Sequence, residues 1–341
     1  MKILIWAMAR ALGDGVVYSG CPREIKKIYP DAQVDLFCTR MHAAAFKGNP
    51  YIDNIYYFNT YNKPFSKITR TKIYLNPLMQ LKNLLKARRE KYDIVIDVDS
   101  SYKWQNRFMI KFLMGGGFRG ENRILSGKFR KNNKYKYNRD FLQKVYTNLY
   151  DEDKGSAFSV IFDNHNVDCK YELFIPKEKE DKAINYYKDI AKGNKIIIFN
   201  GEGSKMSISS SKITDTLTSI LNKYPQYYIF IIGYSDYYEK YKTIIDTINN
   251  PRLHITYKTD ILDTFALIKH ANLLISVDTA LIHIASAVGT NVCEIISYGM
   301  DEYLIGLPAF VEYVLCANKE SNYNINGYSI DEVIKAIEKL I

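Results

Sequence analysis

The stretch Leu273–Thr290, LLISVDTALIHIASAVGT, constrains the fold of this chain more than any other. Leu273 to Val277 is a short apolar run of the kind buried inside a parallel sheet. It stops at Asp278-Thr279, whose side-chain oxygens suit a helix N-terminus because they accept the free backbone N–H groups there. A helix is expected to Val288, with Gly289 where a C-terminal cap belongs. The positive end of that helix then meets the open edge of the sheet, where ligands of α/β proteins bind and phosphate is favoured. His283, four residues after Thr279, projects from the same face. The expected phosphate site uses Thr279 with the N–H groups of Ala280 and Leu281. His283 donates one turn on, and Asp278 binds ligand hydroxyls or orients His283. The plainer alternative is a capped helix followed by a core histidine between Ile282 and Ile284.

At 341 residues the chain is long for one core, and two domains are expected. With 47% hydrophobic and 25% charged residues it has an ordinary soluble composition. No apolar run approaches the roughly 20 residues that span a bilayer. The start, MKILIWAMAR, reads better as a buried first strand than as a signal peptide. The five cysteines are scattered and form no CxxC, so neither a disulfide framework nor a zinc knuckle is indicated, and the cytoplasm is the default compartment. The net charge of +10 is uneven. Residues 1–168 carry 29 Lys+Arg against 16 Asp+Glu, and residues 169–341 carry 18 against 21. A basic half beside a near-neutral half suggests that one half meets something anionic and extended: nucleic acid, an acidic membrane surface or a phosphorylated glycolipid.

The first half alternates strands at 2–6, 33–38, 53–58 and 92–97 with helices near 15–29, 41–47, 77–90 and 103–114. The second half repeats the pattern, with strands at 195–199, 227–232, 253–256, 273–277 and 292–296. Its helices fall at 178–191, 210–223, 236–248, 260–270 and 279–288, and a capped closing helix covers 329–341. Such alternation means parallel sheets wrapped by helices, here two doubly wound Rossmann-like domains facing across a cleft. The junction is drawn in the polar stretch around Pro176, giving domains of 1–168 and 169–341. Between Arg123 and Arg139 stand seven Lys/Arg and no acid, with Tyr135 and Tyr137 interleaved, which reads as an exposed basic arm or as a solvated lysine-rich surface.

Three further groups carry possible chemistry. Asp14 follows the first strand between Gly13 and Gly15, where a carboxylate points into the ligand crevice; otherwise it only caps the next helix. Arg10, just upstream, reads as an anion contact or a surface charge. After the strand at 195–199, Gly201, Gly203, Ser204 and Lys205 make a loop whose backbone can approach a diphosphate while Lys205 offsets its charge. It lacks the third glycine of a dinucleotide fingerprint and the Gly-Lys-Ser/Thr of a P-loop. Asp97-Val98-Asp99 offers two carboxylates that could hold Mg²⁺, but no metal site is expected, and no HExxH, His/Cys cluster or GxSxG is present.

Asp278-Thr279-Ala280-Leu281-Ile282-His283 resembles the Asp-Thr-Gly-Leu-x-His signature of the heptosyltransferases, glycosyltransferase family nine. Leu12-Gly13-Asp14-Gly15-Val16-Val17, Asn49-Pro50-Tyr51-Ile52-Asp53, Tyr92-Asp93-Ile94-Val95-Ile96-Asp97 and Gly117-Phe118-Arg119-Gly120 fall in that family's order. The resemblance runs from residue 1 to about 295 with gaps, and it implies the GT-B fold. It implies an inverting sugar transfer with Asp14 as general base, and no cofactor. The donor implied is a nucleotide-diphospho-sugar, ADP-heptose by default, held by Gly203, Ser204, Lys205, Asp278, Thr279, Ala280 and His283, with Asp236 near the ribose or as a helix cap. The acceptor implied is the phosphorylated inner core of lipopolysaccharide or lipooligosaccharide at the inner face of the cytoplasmic membrane, where the protein is peripheral. Arg10, Arg130, Lys131, Lys134 and Lys136 are assigned to that acceptor.

Two departures stand out. Ala280 replaces the usual Gly, and Met206-Ser207-Ile208-Ser209 occupies the region where the family carries a basic residue followed by Trp-Pro or a similar pair, so Lys205 or Lys212 must stand in. That keeps a hexose or N-acetylhexosamine donor open. The rivals from other classes are a basic nucleic-acid-binding protein, suggested by pI 9.0 and 29 tyrosines, and a catalytically inactive homologue. No RRM, helix-turn-helix or KH pattern supports the first, so no specific nucleic-acid partner is expected. The retained Asp14 argues against the second.

Overall fold

The computed structural model describes residues 1–7, 12–58, 77–97, 104–113, 123–125, 170–203, 206–233, 235–297, 311–318 and 325–341. The chain divides into two compact units, Met1–Phe174 and Ile175–Ile341. The boundary expected at 168/169 lies outside the described residues.

The first unit is built on β1 (Lys2–Ala7), β2 (Gln33–Cys38), β3 (Asn54–Tyr57), β4 (Ile94–Asp97) and β5 (Arg123–Leu125), all parallel in the order β3-β2-β1-β4-β5. The central strand, KILIWA, is buried from Ile3 onward because it lies between two neighbours and beneath helices. Trp6 fills the core against Phe37 and Phe58, each with ring centroids 4.9 Å away. The helices are α1 (Leu12–Val17), α2 (Cys21–Ile28), α3 (Arg40–Ala43) continued by a 3₁₀ turn, α4 (Pro77–Arg88) and α5 (Trp104–Leu113). The single helix expected over 15–29 is two. Pro22 lacks the N–H to continue a helix but fits a first turn, so a new one starts at Cys21.

The second unit contains α6 (Lys177–Ala191), β6 (Lys195–Asn200), α7 (Ser210–Lys223), β7 (Tyr227–Ile231), α8 (Tyr238–Ile248), β8 (Leu253–Ile255), α9 (Ile261–Lys269), β9 (Leu273–Val277), α10 (Ala280–Val288), β10 (Val292–Ser297), β11 (Tyr313–Asn318) and α11 (Ile330–Leu340). Its six strands run parallel in the order β11-β10-β9-β6-β7-β8. The edge strand β11 was not expected. Its six residues carry no clear period, and only pairing with β10 makes them a strand.

Both sheets reverse strand order beside their first strand, between β1 and β4 and between β6 and β9. In an open α/β sheet the ligand crevice lies outside the carboxyl ends of the strands at that switch point. Asp14 follows β1, the Gly201–Gly203 loop follows β6, and Asp278-Thr279 follows β9. No helix among the described residues is long and apolar enough to cross a membrane.

Candidate active site

In the second unit β9 ends at Val277 and Thr279 takes the N-cap of α10 in extended backbone, φ −150° and ψ 176°. Its hydroxyl accepts the Leu281 N–H at 3.2 Å. That amide, expected to be open to a ligand, is held by the cap, so a bound phosphate would compete with the Thr279 hydroxyl. The helix closes at Gly289, whose φ of +84° favours glycine.

The loop after β6 lies directly against this turn. A Cβ on Gly203 would stand 3.2 Å from Thr279 Cγ2 and 3.3 Å from the Asp278 carbonyl oxygen, so any larger residue would have to push the turn back by a few tenths of an ångström. The Gly203 N–H donates to the Met206 carbonyl at 2.7 Å and the Ile208 N–H to the Gly201 carbonyl at 2.9 Å, folding the loop back on itself. Gly203, Asp278, Thr279, Ala280 and His283 are therefore brought to one place. Ser204 and Lys205 lie outside the described residues.

Beneath the two loops runs a row of polar side chains that the sequence did not single out. Asn200 on β6 is in register with Ser276 on β9, which is in register with Glu294 on β10, and all three are buried. Asn200 Nδ2 donates to the Glu202 carbonyl at 2.9 Å and to Ser276 Oγ at 3.1 Å. Ser276 Oγ donates to the Val277 carbonyl at 2.8 Å and lies 3.4 Å from Thr279 Oγ1. The row thus ties the glycine loop to the helix cap. Glu294 ends it differently, for its Oε2 finds no hydrogen-bond partner among the described residues. Burial, and then the nearby Asp278 carboxylate, push its carboxyl well above the usual range.

His283 is buried on α10, and burial pushes its imidazole down to about 4. It is a neutral ring at pH 7, able to donate one N–H rather than a charge. The Lys212 ammonium lies 4.8 Å over the Tyr328 ring. The described lysine that reaches the loop is Lys240 on α8, which pairs with buried Glu202 and donates to the Ile208 carbonyl. Asp236 stands exposed in a 3₁₀ turn, and Tyr237 rather than Asp236 occupies the N-cap of α8, so the capping alternative fails.

In the first unit Asp14 is the third residue of α1, within the first turn rather than at its N-cap. The glycines beside it do not form a turn. Both instead sit in the helix, and a Cβ on Gly15 would come within 3.2 Å of His42 Cα, so Gly15 lets α1 pack on α3. Asp97 ends β4; Val98 and Asp99 lie outside the described residues, as do Arg10, Arg130, Lys131, Lys134 and Lys136. Among the described residues no group of three or more His, Cys, Asp or Glu could hold a metal ion.

Two parallel sheets of this topology are those of the GT-B fold. The fold matches a glycosyltransferase family 9 structure from Veillonella parvula DSM 2008 with a TM-score of 0.71 at 14% identity, covering 99% of this chain and 97% of that one. It matches the E. coli ADP-heptose lps heptosyltransferase II at 0.66 and 12% identity, covering 100% and 98%. For E. coli heptosyltransferase WaaC with ADP the values are 0.65 and 12%, covering 100% of both chains. No curated protein matches the chain by sequence. The family model for glycosyltransferase family 9 (heptosyltransferase) matches residues 81–301, more than half of the chain, and the protein belongs to that family.

Proposed function

We propose that this glycosyltransferase moves heptose from ADP-heptose, with inversion at the anomeric carbon, to the phosphorylated core of lipopolysaccharide or lipooligosaccharide at the inner face of the cytoplasmic membrane. The observation that carries the donor half is the contact of Gly203 with the Asp278-Thr279 turn, which sets the glycine loop beside a helix N-terminus suited to a diphosphate. A solved heptosyltransferase with ADP supports a nucleoside diphosphate in that role. The Ile175–Ile341 unit holds the donor and the basic Met1–Phe174 unit the acceptor.

Asp14 takes the proton from the acceptor hydroxyl as its oxygen attacks the anomeric carbon. The bond from that carbon to the diphosphate oxygen breaks, and the electron pair leaves with the nucleoside diphosphate. Thr279, the first amides of α10, the neutral His283 and Lys205 meet the developing charge, Asp278 holds the sugar and Asp236 the ribose. Arg10 and the 123–139 arm with Arg130, Lys131, Lys134 and Lys136 hold the acceptor's anionic groups. A hexose or N-acetylhexosamine donor is the second reading, favoured by Met206-Ser207-Ile208-Ser209 standing in place of the family's Trp-Pro region. Thermal-shift titration with ADP-heptose and with UDP- and GDP-sugars separates them, since only a ligand of the folded state raises Tm. Stabilisation by ADP-heptose alone supports the first reading, by a UDP- or GDP-sugar alone the second, and by none of them neither.

A further inference from the structure

We propose that the Pro77–Arg88 helix docks the protein on an anionic phospholipid surface, inserting Leu78, Leu81 and Leu85 among the acyl chains while Lys82, Lys86 and Arg89 meet the headgroups. The inner face of α4 is already spent on the core, where Gln80, Leu84 and Ala87 are buried. Its outer face nevertheless carries leucines at Leu78, Leu81 and Leu85, exposed by 80%, 42% and 44%, at the spacing of one helical stripe. Solvent-facing positions of a packed helix are ordinarily polar, so a second apolar stripe has no part in folding.

The stripe continues onto α5. The Arg88 guanidinium lies 4.5 Å over the Phe112 ring, and one turn earlier on each helix stand Leu85 and Phe108, the latter 51% exposed. Lys82, Lys86 and Arg89 are exposed beside the leucines, and no acidic residue occurs from Pro77 to Arg89. Leucines flanked by cations match an interfacial helix, whose apolar side enters the acyl boundary while its charges meet anionic headgroups. Nucleic acid would answer the cations and leave the leucines in water. A second copy of the chain would cover the leucines while setting lysine against lysine. An anionic bilayer answers both.

The inference rests on the reading that the acceptor is a membrane glycolipid, and it names where the chain meets that membrane. The test is co-sedimentation of the full chain with phosphatidylcholine vesicles, with and without phosphatidylglycerol, across a salt series. Binding is expected only with phosphatidylglycerol, weakening as salt rises. Leu78→Ser/Leu81→Ser/Leu85→Ser should keep the wild-type Tm and bind at least tenfold more weakly. Lys82→Glu/Lys86→Glu/Arg89→Glu should also lose the salt dependence, each cation contributing roughly fivefold. The proposal is overturned if the leucine variant binds vesicles like the wild type. It is equally overturned if that variant loses Tm, which would mean the chain itself covers the stripe, or if it turns a dimer into a monomer. Loss of polynucleotide binding without loss of vesicle binding in the charge variant would contradict it too. Thermal shift by the nucleotide-sugar reports separately on the donor reading. Vesicle binding without that shift keeps the helix assignment and sinks the donor, and the converse does the reverse.

Discussion

In the Met1–Phe174 unit a buried carboxylate, Asp35, anchors a polar network towards the amino ends of the strands. Asp35 accepts from Tyr92 at 2.6 Å, Gln33 at 2.9 Å and Asn54 at 3.0 Å, while Lys2 pairs with Glu90 nearby. In the Ile175–Ile341 unit, built with the same turn in strand order, the buried row Asn200–Ser276–Glu294 lies at the carboxyl ends of the central strands, beneath the glycine loop and the helix cap. The first network meets each oxygen of its carboxylate with donors, as a framework should. The second ends in an acid whose Oε2 has no partner among the described residues, at the edge where ligands of such sheets bind. A strand order shared apart from one edge strand thus leaves the difference to a few polar residues and to the end of the sheet they occupy.

The contrast separates substitutions that should touch turnover from those that should touch only stability. The largest expected effect belongs to Asp14→Asn, which should lower kcat by about 10²–10⁴ while the donor-induced thermal shift persists. Near-normal turnover by the folded variant would remove Asp14 from the mechanism. Asp35→Ala should instead cost about 2–4 kcal/mol of stability in urea unfolding, because three donors lose their acceptor, and leave the kinetic constants of the folded enzyme unchanged. A donor KM altered by Asp35→Ala would mean that the amino-end network also serves the site.

Thr279→Ala and His283→Ala should each raise the donor KM about 10–100-fold and leave the acceptor KM alone. His283 carries a second signature in pH. Its folded value near 4 lies below the ordinary 6.5, so the unfolded chain takes up the proton first. Stability is therefore present above 6.5 and is lost as pH falls towards 4, by up to about 3 kcal/mol, and His283→Ala should remove that slope. If His283→Ala loses only stability, with its kinetics intact at low temperature, the residue belongs to the core. Glu294→Met should give the smallest change, a gain of about 1 kcal/mol with a modestly higher donor KM. Its sign in pH is opposite. The folded carboxyl holds its proton above the ordinary 4.5, so its contribution is present at low pH and is lost as pH rises through the raised value. A Glu294→Met enzyme with unchanged KM would make the acid a passive core residue.

Much of the fold was legible because its signals are local. The apolar run, cap and glycine of Leu273–Gly289 announce a strand, turn and helix, and each lies where expected. Pro22 carried the information that 15–29 is two helices, but the apolar spacing across it read as continuous. The site was less legible because it depends on distant contacts. Nothing near Gly203 says that it will touch Thr279, since the sheet brings β6 beside β9. Glu294 within VCEIIS marks an oddity in a strand, yet only the register with Ser276 gives it a place. Lys240 sits in a polar helix and reaches the loop only through the packing of α8. The leucine stripe of α4 was hidden because that helix is apolar on more than one side, so spacing alone does not say which leucines face out.

Hydrogen–deuterium exchange of the full chain, with and without a saturating nucleotide-sugar chosen by thermal shift from ADP-, UDP- and GDP-linked donors, asks directly whether the carboxyl-end row supports the donor site. Bound donor is expected to slow exchange at residues 201–208 and 278–284 and to leave the strands around Asp35 unchanged. Slowing confined to the Met1–Phe174 unit, or none with any donor, would contradict the assignment of the donor to the β6–β9 switch point.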